Sequence, residues 1–317
     1  MQDVLSFDDI CAAARRIAGS VRVTPVLRCP ELDTELGAEV HFKCENFQEM
    51  GAFKLRGATN AVLSLPDGSL KRGVATHSSG NHGTALALAA KRRGVHACVV
   101  MPENASAYKK RAVAAYGAEV IYCESTQAGR EATLAAYVAK TGASVVHPYN
   151  DVTVMAGQGT AALELHEQVP GLDLVLAPLG GGGLLSGTAV ATRALAPKAR
   201  VIGAEPLGAD DAWRSLKAGR IEPVSHPNTV ADGLRATIGP LTFAVLREEI
   251  DEVARIEEQD ILDAMRYIWE RMKILIEPSA AVPVAALRRG LVEVRGHRAG
   301  IILSGGNVDL DHLKWSV

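Results

Sequence analysis

The chain lacks an excess of either charge. Its 34 Lys and Arg nearly balance 36 Asp and Glu, for a formal net charge of −2, so no basic field exists to track nucleic acid. No apolar run approaches the ~18 residues of a membrane span, and the acidic opening Met1-Gln2-Asp3-Val4 shows no signal-peptide pattern. A cytoplasmic location away from any membrane is therefore expected. The five cysteines, Cys11, Cys29, Cys44, Cys98 and Cys123, have no CxxC spacing, which argues against a zinc site or a disulfide framework. No repeat, low-complexity tract or long linker interrupts the sequence. Aromatic residues make up only 4%, against an apolar fraction of 48%. Such a composition suits helices layered on sheets, where small residues let elements approach closely. At about 150 residues per domain, 317 residues suggest roughly two domains.

Short β-branched runs alternate with longer Ala-rich stretches. Strands are predicted at 40–43, 74–77, 97–100, 119–122, 144–147, 174–178, 201–205, 252–256 and 301–303. Helices of 3.6-residue periodicity are predicted at 83–93, 105–116, 127–141, 156–168, 184–195 and 260–272. This β-α-β-α rhythm implies an α/β fold with parallel strands joined by right-handed crossovers. Ligands of open α/β sheets bind at the carboxyl ends of the strands, and the polar motifs fall there.

Five motifs carry chemistry. In Gly51-Ala52-Phe53-Lys54-Leu55-Arg56-Gly57, a lysine in a Gly-flanked apolar turn is a candidate Schiff-base former, because burial disfavours the ammonium. A lone loop lysine is more often merely solvated. In His77-Ser78-Ser79-Gly80-Asn81-His82-Gly83, small and polar residues between a strand and a helix offer N–H groups to an anion such as a carboxylate. Gly180, Gly181, Gly182 and Gly183 open another helix and suit a phosphate. With Glu205 ending the next strand, they leave a dinucleotide site as the runner-up from this motif alone. Ser304-Gly305-Gly306-Asn307 offers a hydroxyl for a ring nitrogen. Finally, the carboxylates of Glu205 and Asp211 plus a backbone carbonyl offer hard oxygen ligands for Mg²⁺ or Ca²⁺, although helix starts favour acids anyway.

Taken together and in this order, the motifs closely resemble the tryptophan-synthase-β-like (fold type II) pyridoxal-phosphate enzymes, specifically their serine racemase and serine/threonine dehydratase branch. The resemblance covers nearly the whole chain. It includes Cys44-Glu45-Asn46-Phe47-Gln48, Ala156-Gly157-Gln158-Gly159-Thr160, Ala231-Asp232-Gly233, Trp269-Glu270-Arg271-Met272-Lys273 and Ile276-Glu277-Pro278-Ser279. It implies two domains, each an open, mostly parallel twisted sheet flanked by helices, with the cofactor in the cleft between them. The large cofactor-binding domain is expected at 1–72 and 151–317, and a small mobile substrate-binding domain at 73–150.

The resemblance also implies residue roles. Lys54 carries pyridoxal 5'-phosphate, with Phe53 packed beside it. Asn81 bonds the pyridine 3′-oxygen, Gly180 to Gly183 cradle the phosphate, and Ser304 meets the ring nitrogen. Ser78, Ser79, Asn81 and His82 receive the substrate α-carboxylate, and Ser79 matches the second proton carrier of racemases. Glu205, Ala209 and Asp211 match a divalent-cation site for Mg²⁺, Ca²⁺ or Mn²⁺. Two departures stand out: Ala52 replaces a serine common in relatives, and Tyr149 resembles dehydratases more than animal racemases. The chain is also too short for the regulatory domain of biosynthetic threonine dehydratases.

The expected activity is that of an ammonia-lyase (dehydratase) acting on serine, threonine or 3-hydroxyaspartate. A serine or aspartate racemase with dehydratase side activity is the alternative, and a non-catalytic amino-acid sensor a remote one. Arg130, in the helix after Tyr122-Cys123-Glu124, is a candidate for a second substrate carboxylate, because the guanidinium fork matches it. A homodimer is expected.

Overall fold

The computed structural model describes residues 4–78, 80–105, 107–224, 226–313 and 315. Its strands are β1 (Val26–Arg28), β2 (Glu39–Cys44), β3 (Val74–His77), β4 (Ala97–Pro102), β5 (Glu119–Cys123), β6 (Ser144–Val145), β7 (Leu174–Pro178), β8 (Arg200–Pro206), β9 (Glu252–Ile256) and β10 (Arg298–Leu303). The helices are α1 (Phe7–Ile17), α2 (Pro30–Leu36), α3 (Lys54–Ser64), α4 (Asp67–Leu70), α5 (Asn81–Arg93), α6 (Ala107–Ala114), α7 (Gln127–Thr141), α8 (Val152–Gln168), α9 (Gly183–Leu195), α10 (Asp211–Ala218), α11 (Pro240–Glu249), α12 (Glu258–Met272) and α13 (Pro278–Arg288). Among the described residues, no helix is long and apolar enough to cross a membrane.

The strands form two sheets, ordered β1-β2-β10-β7-β8-β9 and β5-β4-β3-β6. Every pairing is parallel except β1 with β2. The expected α/β class is what the structure has. Helices α2, α12 and α13 cover one face of the larger sheet, and α1, α8, α9 and α11 the other. Coverage on both faces is why its strands read as continuous apolar runs.

Several elements escape the sequence reading. Strand β1 has three residues, too few for an alternating pattern. Helix α13 carries Pro283 in its interior and is buried along nearly all its length, so it shows no amphipathic period. The strand expected at 144–147 stops at Val145. There the chain turns, because the His147 ring takes over: its Nδ1 accepts the N–H groups of Tyr149 (3.3 Å) and Asn150 (2.9 Å).

Glycines set the spacing around α8. A Cβ on Gly157 would lie 2.6 Å from Gly57 Cα in α3, and one on Gly187 in α9 would lie 2.5 Å from the Gly159 nitrogen. α3 therefore lies flush on α8, while its other face joins a core cluster with α5. A buried ionic network fixes its first turn. Arg56 donates to Glu45 Oε2 (2.8 Å) and to both oxygens of Glu164 (2.7 and 2.8 Å), while Lys43 reaches Glu164 Oε2 at 2.6 Å. Such pairs add little net stability, but removing one partner strands a buried charge. The network thus constrains where α3, and with it Lys54, can sit.

Candidate active site

Lys54 is the first residue of α3, and the end of β10 positions it. Phe53 N–H donates to the Ser304 carbonyl (3.0 Å), Ala52 pairs with Gly305 as an antiparallel bridge, and Gly306 N–H donates to the Gly51 carbonyl (2.9 Å). Gly51 has φ +79°, and a Cβ there would meet Asn307 Oδ1 at 2.5 Å, so this turn needs glycine. The backbone thereby brings Lys54 and Ser304 together from opposite ends of the chain. Lys54 Nζ donates to the Pro148 carbonyl at 2.7 Å and lies 5.0 Å from the Phe53 ring centre. Burial pulls its ammonium down to about 8, with the Glu277 carboxylate opposing. A neutral amine is thus accessible near physiological pH, as a nucleophile or base requires.

The glycine loop follows β7, the neighbour of β10. The N–H groups of Gly180, Gly181, Gly182 and Gly183 have no protein acceptor among the described residues. They surround the N-terminus of α9, where the helix dipole favours an anion. No side chain fits here: a Cβ on Gly180 would meet Leu234 Cα at 2.8 Å, and one on Gly181 would enter the Tyr149 ring at 2.4 Å. Free donors and a backbone that can approach a ligand closely match a phosphate.

Beside the smaller sheet, α5 follows β3 and begins after Gly80. Ser78 Oγ accepts the Gly80 N–H (3.3 Å); Ser79 lies outside the described residues. Asn81 donates to both carboxylate oxygens of Glu277 (3.0 and 3.1 Å) and accepts from Asn307 Nδ2 (2.9 Å). His82 Nε2 is 3.0 Å from the Val146 carbonyl and must donate to it, which leaves the buried Nδ1 without a partner. Burial, then the nearby Lys54 charge, hold this ring down to about 3, so it is neutral. What His82 offers an anion is its backbone N–H at the helix start. Arg130 is half-buried in α7; burial and then its charge lower His77, while at Tyr149, which burial raises to about 12, its charge opposes the rise. His77, His147 and Tyr149 form an edge-to-face chain with centroid distances of 5.8 and 4.7 Å.

The third group lies at the end of β8 and the start of α10. Glu205 Oε1 accepts the Trp213 N–H (2.7 Å), and Asp211 Oδ2 accepts that of Ile238 (2.8 Å). Both residues are 1% exposed, and Glu205 Oε2 is buried without a partner. Burial raises Asp211 to about 6 and Glu205 well above its usual range, where Asp211 adds to the shift. Asp210, by contrast, is turned outward to Arg214 (2.8 Å) and Arg255 (3.1 Å). Two buried acids with an unsatisfied oxygen, next to the Ala209 carbonyl, suit a hard divalent cation. Among the described residues no three or more His, Cys, Asp or Glu are placed to hold a metal ion together, so such a cation would take carbonyl or water oxygens for the rest of its shell.

Glu277 has no assigned role in the sequence reading, although its motif is part of the resemblance. It is buried and raised to about 7, by burial first and then by Asp232, with the Asn81 hydrogen bond opposing. Its signal is tertiary: as the N-cap of α13 it looks like an ordinary helix start, and only the fold brings it to Asn81 and Lys54.

The family model described as pyridoxal-phosphate dependent enzyme matches residues 17–305. The chain is 49% identical over 311 residues to a beta-hydroxyaspartate dehydratase of Paracoccus denitrificans, covering 98% of this chain and 99% of that protein. It is 46% identical over 314 residues to a serine racemase of Dictyostelium discoideum, covering 98% and 97% respectively. The solved structure of maize serine racemase has a TM-score of 0.95 with 43% identity, covering 97% of this chain and 95% of that one. A half-buried lysine whose neighbour Phe53 is bonded to Ser304, a glycine loop with no room for side chains and a match over most of the sequence agree: the chain belongs to the pyridoxal-phosphate dependent enzyme family.

Proposed function

We propose that this pyridoxal-phosphate dependent enzyme is an ammonia-lyase that dehydrates a β-hydroxy amino acid, with 3-hydroxyaspartate its best substrate. The observation that carries the reading is Lys54: an amine with its pKa lowered to about 8, held on the Pro148 carbonyl between the two sheets. The beta-hydroxyaspartate dehydratase of Paracoccus supports the substrate class, as does Arg130 beside His77 and Tyr149.

Bound at Lys54, with its phosphate on Gly180 to Gly183 and its ring nitrogen at Ser304, pyridoxal phosphate supplies the electron sink for loss of the Cα proton. The remaining work falls to the chain. Free N–H groups at the start of α5 bind the α-carboxylate, and Arg130 binds the β-carboxylate as a fork. Once the substrate's amino group has displaced it from the cofactor, neutral Lys54 Nζ is free to accept the Cα proton. The β-hydroxyl leaves as water, taking up a proton in exchange for the one removed from Cα, and hydrolysis of the released enamine consumes one water to give the 2-oxo acid and ammonia.

In the division proposed here, 73–150 moves against 1–72 and 151–317. The ion pair between Lys109 of α6 and Asp232 joins the two parts, and closure would exclude water. A Mg²⁺, Ca²⁺ or Mn²⁺ ion on Glu205, Ala209 and Asp211, a homodimer and a cytoplasmic location complete the proposal. Racemisation is the second reading, favoured by the Dictyostelium relative.

The test is a panel of serine, threonine and 3-hydroxyaspartate, all stereoisomers, scored for 2-oxo acid, ammonia and enantiomer. Arg130→Met should cut kcat/KM for 3-hydroxyaspartate roughly ten- to hundred-fold, since a hydrogen bond to a charged group contributes about 1.5–3 kcal/mol. Serine turnover should change little. Equal losses on both substrates would remove Arg130 from substrate choice. Enantiomer formed without 2-oxo acid would favour the racemase.

A further inference from the structure

Four consecutive glycines can turn either face of each peptide toward a ligand, so something outside the loop must set their direction. Thr242, in the first turn of α11, is fully buried. Its Oγ1 accepts the Gly239 N–H (3.0 Å), and of the two carbonyls within its reach, Gly181 (2.8 Å) and Gly239 (3.0 Å), that of Gly181 is the nearer acceptor for its single hydrogen. In a trans peptide the carbonyl and the following N–H point in opposite directions. Holding the Gly181 carbonyl on Thr242 therefore aims the Gly182 N–H away from α11. Gly182 sits at φ +92°, and a Cβ there would be 2.8 Å from Thr242 Cβ, so side chain and loop are in contact. The turn that carries Thr242 is itself fixed: Asn150 Oδ1 accepts the Leu241 N–H (2.8 Å), and Asp211 Oδ2 accepts that of Ile238 (2.8 Å).

We propose that Thr242 is a positioning residue for the cofactor phosphate, acting through the Gly181–Gly182 peptide; this rests on the reading that Gly180 to Gly183 hold that phosphate. Thr242→Val keeps the shape and removes the hydroxyl, leaving the Gly181 carbonyl and the Gly239 N–H unpaired. The test uses the full chain freed of cofactor and titrated with pyridoxal phosphate and with pyridoxal, which lacks the phosphate. The wild type should strongly prefer the phosphorylated form. Thr242→Val should weaken pyridoxal phosphate binding about tenfold, the effect of losing one buried hydrogen bond, and leave pyridoxal binding unchanged. Thr242→Ser, which keeps the hydroxyl, should bind like wild type. If the valine variant fails to fold, Thr242→Ala compared with Thr242→Ser makes the same test. A full preference retained without the hydroxyl, or equal weakening of both ligands, would overturn the inference while the loop assignment stands. A wild type that binds both ligands equally would overturn the loop assignment and the inference together.

Discussion

Glu205 and Asp211 place two carboxylates in the same buried corner, and this has a measurable cost that a divalent cation would remove. Asp211 moves from 3.8 to about 6; at 1.36 kcal/mol per unit, that is about 3 kcal/mol against its charged form. Glu205 is raised as well and keeps one oxygen unpartnered. A cation bound only by the folded chain adds about 2.7 kcal/mol at a hundredfold excess over its Kd. With an unfolding entropy of roughly 2.1 cal/mol/K per residue, this corresponds to a rise in Tm of about 4 °C for a chain of this length. Differential scanning calorimetry with Mg²⁺, Ca²⁺ or Mn²⁺ and then with EDTA would measure it. Glu205→Gln should abolish the response. In EDTA this variant should be at least as stable as wild type, because it no longer holds an acid beside Asp211. An equal EDTA response in both proteins, or none in wild type with any of the three ions, would refute the reasoning and leave the pair as a helix start.

Borohydride reduction and peptide mapping should place the cofactor on Lys54, and Lys54→Ala should abolish turnover; an adduct on another lysine would overturn the assignment. Burial holds His147 down to about 4, with the neighbouring His77 adding to the shift. The folded pKa lies below the ordinary 6.5, so this group's contribution is complete above pH 6.5 and lost as the pH falls toward 4. The loss reaches about 3 kcal/mol at 1.36 kcal/mol per unit. Urea titrations across that window should show a shallower pH dependence for His147→Asn, whose amide oxygen can still accept the Tyr149 and Asn150 N–H groups; an unchanged slope would count against a neutral His147.

Periodicity alone identified the α/β class and located most of the parallel strands, because strands covered on both faces must be apolar throughout and their crossover helices must repeat every 3.6 residues. It also exposed the glycine loop, the lysine turn and the acid pair, since each depends on residue types that few other local structures require together. The shape of the active site was not legible in this way. Lys54 meets Ser304 only because β10 lies between β2 and β7. Glu277 reaches Asn81 across 196 positions of sequence, and Thr242 reaches Gly181 across 61. Local sequence patterns record what a segment buries. Which buried groups meet depends on strand order and on the close approach of α3, α8 and α9, and those are properties of the folded chain.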